Sequence, residues 1–176
     1  LQQDAQTNTA LYYTLPDGAA GTRETLKQMR ELVRAAKLDP VLRHLAQSII
    51  ASVPAKDWLG ELTALFRFVQ SRVRYSLDVN AVETLQPARL TLSIGYGDCD
   101  DFVVAICGLA EAIGHPCVLC AMGFDEPGNY SHVIAVALPA AGELAPIALD
   151  LTEAGKPLGW FPPGATCVML APIEEQ

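Results

Sequence analysis

Gly95-Tyr96-Gly97-Asp98-Cys99-Asp100-Asp101, followed by an apolar run to Ile113, is the stretch around which the chain is organised. Asp98 has the residue type of a helix N-cap. Asp101, three residues on, takes the place of the acidic member of a capping box. Cys99 is then the first helical residue, and the two glycines let the chain turn sharply into the helix. Phe102, Val103, Ile106, Cys107, Leu109, Ala110 and Ile113 recur at helical spacing and cover most of the circumference, so this helix is expected to be central. A thiol in the first turn sits at the positive end of the helix dipole, which favours the thiolate. The neighbouring aspartates oppose that. A thiolate here needs a partner cation, and histidine is the usual one.

Outward from this helix, Gly114 stops it and His115-Pro116 leads into a strand over 117–124. A turn over 125–129 precedes a second strand over 130–138. A loop over 139–145 precedes a third over 146–151, and Cys167-Val-Met-Leu170 forms a last short strand. On the N-terminal side, Leu1 to Thr9 reads as a loose terminus, 10–15 as a short strand or extended segment, and Pro16-Asp17-Gly18 as a turn. Thr22 is expected to cap a helix over 23–37, and Asp39-Pro40 to open a second that runs to Val53. A third spans 57–74, with Leu59, Leu62, Leu65, Phe66, Val69 and Val73 as its buried face. Tyr75 to Ile94 has few clear periods, and a long irregular stretch in a compact domain usually wraps a site. Helices followed by an antiparallel meander give an α+β fold, with the sheet packed on the Cys99 helix. The division expected is an N-terminal helical extension, 1–56, packed on a core, 57–176, as one compact unit.

Composition narrows the function classes. A hydrophobic share of 51% with 18% charged residues fits a folded domain rather than a disordered one. A net charge of -8 argues against nucleic acid or an anionic membrane as partner, since both need clustered Lys and Arg. No apolar run has the length of a membrane span, and no charged-then-apolar signal segment opens the sequence as given. Five cysteines, an odd number in apolar surroundings, fit a reduced setting better than a disulfide framework. Cys117-Val-Leu-Cys120 has zinc-knuckle spacing, but no second ligand pair accompanies it, and residues three apart on a strand face opposite sides. No metal and no cofactor are expected.

Two polar residues stand out on the apolar strands. His132 shares a face with Ile134, Val136 and Leu138, and Asp150 shares one with Ala148. A hairpin closed by the loop from Pro139 to about Gly142 would set His132 and Asp150 opposite each other, close enough for the carboxylate to hold the imidazole. Either group alone would cost a few kcal/mol if buried without a partner. Together with the thiol they form a nucleophile, a base and an orienting acid: Cys99, His132 and Asp150. The backbone N–H of Cys99 would serve as one oxyanion donor. Gln86, Tyr96 and Tyr75 are candidates for the second, and Trp160 for lining the substrate. His115, between a helix-stopping glycine and a proline, is the weaker candidate base. His44, on an amphipathic helix, reads as a surface residue.

Gly-Asp-Cys-Asp-Asp at 97–101, Ser131-His132-Val133 and Leu149-Asp150, in that order, resemble the three motif blocks of the transglutaminase-like superfamily, whose fold is papain-like. Val73-Arg-Tyr75, Val82-Glu-Thr-Leu-Gln86, Gly114-His-Pro116 and Pro157-Leu-Gly-Trp160 are similar to stretches of its bacterial and phage-encoded cysteine peptidases, including those of Mu-like prophages. The resemblance covers roughly 57–163 and places the catalytic roles on Cys99, His132 and Asp150. Thr152 stands near where such proteins often carry a proline, and Phe102 where a polar residue is commoner. The resemblance implies an acyl-thioester formed at an amide of a peptide or protein. Water as acceptor would make a peptidase or amidase, and a primary amine a transglutaminase. The absence of a calcium-loop pattern or separate amine-binding domain favours hydrolysis. The rival reading is a non-catalytic structural or peptide-binding module of a phage particle. The location expected is the cytoplasm, or the particle if prophage-encoded.

Overall fold

The structure is a computed structural model that describes residues 16–77, 84–138 and 145–174. In chain order come α1 (Gly18–Leu38), α2 (Pro40–Ile49), α3 (Trp58–Arg72), β1 (Arg74–Tyr75), α4 (Ala88–Ile94), β2 (Tyr96–Gly97), α5 (Cys99–Ala112), β3 (Cys117–Gly123), β4 (His132–Ala137), β5 (Ile147–Leu149) and β6 (Cys167–Pro172). The fold is α+β, as the pattern predicts.

The fold is built round α5. Every residue from Asp100 to Ala112 is buried, because α1, α2, α3 and α4 close on it from one side and β3 and β4 from the other. Each large apolar side chain so enclosed contributes about 1.5–3 kcal/mol relative to exposure. Contact with α1 is close: a Cβ at Gly108 would stand 2.7 Å from the Cβ of Ala36. At the far end, Glu111 accepts from the N–H of Cys117 (2.7 Å) and pairs with Lys37 (3.1 Å), which ties α5 to both β3 and α1.

The sheet is antiparallel in the order β5-β4-β3-β6. Its inner face presents Cys117, Leu119, Ala121, Val133, Ala135 and Ala137 to the main core, while Cys120, Met122, Ile134 and Ala148 form a smaller cluster on the other side. Cys117 and Cys120 therefore do face opposite ways. β6 is an edge strand with Val168 and Leu170 exposed. β1 and β2 form a separate parallel pair, Arg74 with Tyr96 and Tyr75 with Gly97. Among the described residues no helix is long and apolar enough to cross a membrane.

Several expectations need correction. α1 begins at Gly18 rather than after a Thr22 cap, and Thr22 donates back to the Gly18 carbonyl (3.3 Å) within the helix. α2 stops at Ile49, and turns fill the segment to Val53. α3 ends at Arg72, because Arg74 is drawn into pairing with β2. Leu59, assigned to the buried face, is exposed. The supposedly irregular 75–94 contains α4, closed by Gly95 in the left-handed conformation (φ 79°). His132 and Asp150 share parity but do not oppose each other. Ala135 pairs with Leu149, so the register sets His132 two residues off, a diagonal neighbour. The readings for 1–15, for 78–83 and for the loop 139–144 fall outside the described residues.

Candidate active site

The cap of α5 is a full capping box. Asp98 accepts from the N–H groups of Asp100 (3.2 Å) and Asp101 (3.4 Å), and Asp101 accepts from the N–H of Asp98 (3.4 Å). None of these bonds uses the N–H of Cys99. Asp101 also accepts from the backbone N–H of Gln86 (2.8 Å), which fastens the approach to α4 onto the helix start. Gly97 is required here, since a Cβ would stand 2.5 Å from that of Asp101.

Cys99 is half-buried at this terminus, and its thiol donates to Asp100 Oδ1 (3.5 Å). Burial first, then the charges of Asp100 and Asp98, push the thiol well above its ordinary value, and a hydrogen bond with the Val133 backbone pulls the other way. This agrees with the expectation that the dipole alone does not suffice against the neighbouring aspartates: burial and the two carboxylates favour the protonated thiol.

His132 opens β4, with Nε2 2.9 Å from Asp150 Oδ2. The other carboxylate oxygen, Oδ1, accepts from both the hydroxyl (2.7 Å) and the N–H (3.0 Å) of Thr152. Burial alone would raise the Asp150 carboxyl. The bonds from His132 and Thr152 outweigh it and hold Asp150 below the usual carboxylate range. An ionised Asp150 can only accept, so Nε2–H donates to it, which in the neutral tautomer leaves Nδ1 as the ring's acceptor. Thr152, the second partner of Asp150, is a residue to which the sequence reading gave no part in the site. Asp-x-Thr is a local turn signal that could have revealed it.

Cys99 and His132 line one cavity of about 250 Å³, with Asp98, Asp100 and residues of α1 such as Thr22 and Thr25. His132 and Asp150 line a second of about 400 Å³, with Tyr75, Phe124, Glu153 and Trp160. The histidine borders both. By alternation His132 lies on the side of Ile134, away from the α5-packed face, but as the first residue of its strand it reaches the sheet's end, beside the start of α5. Tyr75 stacks on Phe102, ring centroids 6.4 Å apart. Gln86 and Tyr96 line neither cavity: Gln86 accepts from Thr91 (3.4 Å), and Tyr96 is exposed. Of the other histidines, His44 is exposed and His115 is buried against Glu61 (2.7 Å) and edge-on to Trp58. No group of three or more His, Cys, Asp or Glu among the described residues could hold a metal ion.

The family model of the transglutaminase-like superfamily matches residues 43–142, more than half of the chain, including Cys99 and His132. The chain belongs to the transglutaminase-like superfamily. One solved structure agrees on the fold of this transglutaminase-like domain. Legionella pneumophila LapG superposes with a TM-score of 0.52 at 18% identity, over 84% of this chain and 81% of that one. A candidate cysteine protease of Cytophaga hutchinsonii gives 0.49 at 16% identity, over 77% of this chain and 52% of that one. The match thus spans only about half the length of the Cytophaga protein. No curated protein matches the chain.

Proposed function

We propose that the protein is a cysteine-dependent amide hydrolase acting on peptides or proteins, with Cys99 as nucleophile, His132 as general base and acid, and Asp150 as the group that orients His132. The observation that carries this reading is the Asp150–His132 bond, at a histidine that shares a cavity with the thiol at the N-terminus of α5. Membership of the superfamily supports it.

With burial and the neighbouring carboxylates favouring the protonated thiol, the reaction starts in this reading with proton transfer. His132 Nδ1 takes the Cys99 proton as sulfur bonds to the carbonyl carbon, and the C=O electrons move to oxygen. The oxyanion meets the N–H of Cys99, which the cap leaves out of its bonds. The C–N bond then breaks as His132 returns its proton to the nitrogen, leaving a thioester. Water attacks the thioester, His132 takes a proton from it, and the thiol is released with the acid. A primary amine in place of water would give the transglutaminase outcome. In this reading Tyr75 and Trp160, at the second cavity, meet the substrate, while Gln86 and Tyr96 support the helix start. The helices of 1–56 form an extension whose α1 walls the thiol cavity.

The test is trapping of the acyl-enzyme. Peptide activated esters should add one acyl group to Cys99 in intact mass, with turnover in water. Addition that persists until an amine is supplied selects transamidation, and no addition to Cys99 selects the non-catalytic module.

A further inference from the structure

The polarity of the two cavities follows from the chemistry. The acyl carbon must sit on Cys99, which borders only the first cavity, and the leaving nitrogen must sit within reach of His132, which borders both. The chain on the leaving side therefore departs past His132 into the second cavity. That cavity has aromatic walls, Tyr75, Phe124 and Trp160, and its charged lining apart from the His132–Asp150 pair is Glu153. Glu153 is exposed, and its carboxylate makes no hydrogen bond or ion pair with a described residue. Among the described residues no lysine or arginine lines either cavity. Lys156 stands beside the second, its Nζ 4.9 Å from the Trp160 ring centroid, so the ring is one that a cation can face, and an incoming basic side chain has to displace Lys156 from it. The carboxylates also reach this wall: burial first, and with it the charges of Asp98, Asp100 and Asp150, raise the Tyr75 hydroxyl.

We propose that this second cavity selects a basic residue, arginine or lysine, immediately on the leaving-group side of the scissile amide, its aliphatic stem against Tyr75, Phe124 and Trp160 and its charged head on Glu153. An aromatic wall with one carboxylate at its rim suits such a side chain, which buries its stem while the head stays wet. This inference rests on the amide-hydrolase reading for its polarity, but the cation site itself can be tested without turnover.

The experiment uses Cys99→Ala protein and three tripeptide amides that mimic the leaving product, differing only in a first residue of arginine, leucine or glutamate before two alanines. Affinity is read by calorimetry. The arginine peptide should bind about tenfold more tightly than the leucine peptide, with the glutamate peptide weakest. Glu153→Gln should erase the arginine advantage, and Glu153→Lys should reverse the order of arginine and glutamate. Equal affinity for arginine and leucine peptides, or no binding of any of the three, overturns the proposal. Acyl-enzyme formation on the unmodified protein is measured in parallel. A selective cation site with no acylation of Cys99 would sink the hydrolase and leave the site, and acylation without selectivity would do the reverse.

Discussion

Two histidine–carboxylate pairs stand near the two ends of α5. His132–Asp150 closes at 2.9 Å near the N-terminus, and His115–Glu61 at 2.7 Å just past the C-terminus. By distance alone they are equivalent. They differ in what the rest of the ring meets. His115 is 4% exposed, packed edge-on against Trp58, and lines neither cavity. The His132 side chain is 17% exposed, its acid is 1% exposed and held by Thr152, and its ring borders the cavity of the thiol. A buried pair becomes chemistry only when the second nitrogen opens on a nucleophile. Otherwise it pins two elements together, here the start of α3 and the turn after α5.

The comparison breaks most visibly at His132. His132→Ala should lower kcat/KM by about 10³–10⁴ and, by leaving the buried Asp150 to Thr152 alone, should also lower Tm, while His115→Ala should leave kcat/KM within a few-fold. The latter should instead cost about 2–3 kcal/mol, from a cavity and a carboxylate left without its partner. For a chain of this size that is a Tm fall of about 4–12 °C by calorimetry. If His115→Ala abolishes activity in folded protein, the roles are misassigned. Asp150→Asn should cost about 10²–10⁴ in kcat. Because its carboxyl is held low, Asp150 contributes stability that is full above the unfolded value of about 3.9 and is lost as pH falls through its lower folded value. The stability gap between native protein and Asp150→Asn should accordingly narrow as urea melts are taken from pH 7 toward pH 3. Thr152→Val keeps the N–H bond to Asp150 and removes the hydroxyl. It should lower kcat/KM about five- to tenfold, with Thr152→Ser restoring it. The smallest expected effect is at the thiol. Asp100→Asn removes an acceptor and a charge that hold the proton on Cys99, so alkylation by iodoacetamide at pH 7 should speed up roughly three- to tenfold. A slower rate would show that Asp100 activates the thiol.

What the sequence discloses follows the range of the forces involved. The Asp98 cap, the Cys99 helix and its burial are written in neighbouring residues, and the structure carries them, with α5 ending at Ala112 and Ile113 as its C-cap. The parity of His132 and Asp150 is also local, but their offset of two is not, because it depends on how the connecting loop closes. α4 escaped because a seven-residue helix opened by Pro87, with no side-chain cap, has too few turns to show a period. The Glu61–His115 bond joins residues far apart in the chain, and nothing near either predicts it. Around Cys99 the opposition of dipole and aspartates is legible in the sequence, but the depth of burial, which is the larger effect on the thiol, is not.

The placing of β6 has a consequence for the order of assembly. β3 is buried along its whole length, and its two partners arrive at different times. β4 follows it after a short turn, whereas β6 pairs with it only after β5 and the long segment beyond have been made. Until then one flank of the most apolar strand is an open edge, the kind that pairs with other chains. Folding during synthesis should therefore pass through a species with β3 and β4 joined and β3 still unpaired on its other side. Its lifetime, more than the stability of the finished domain, would set the yield of soluble protein.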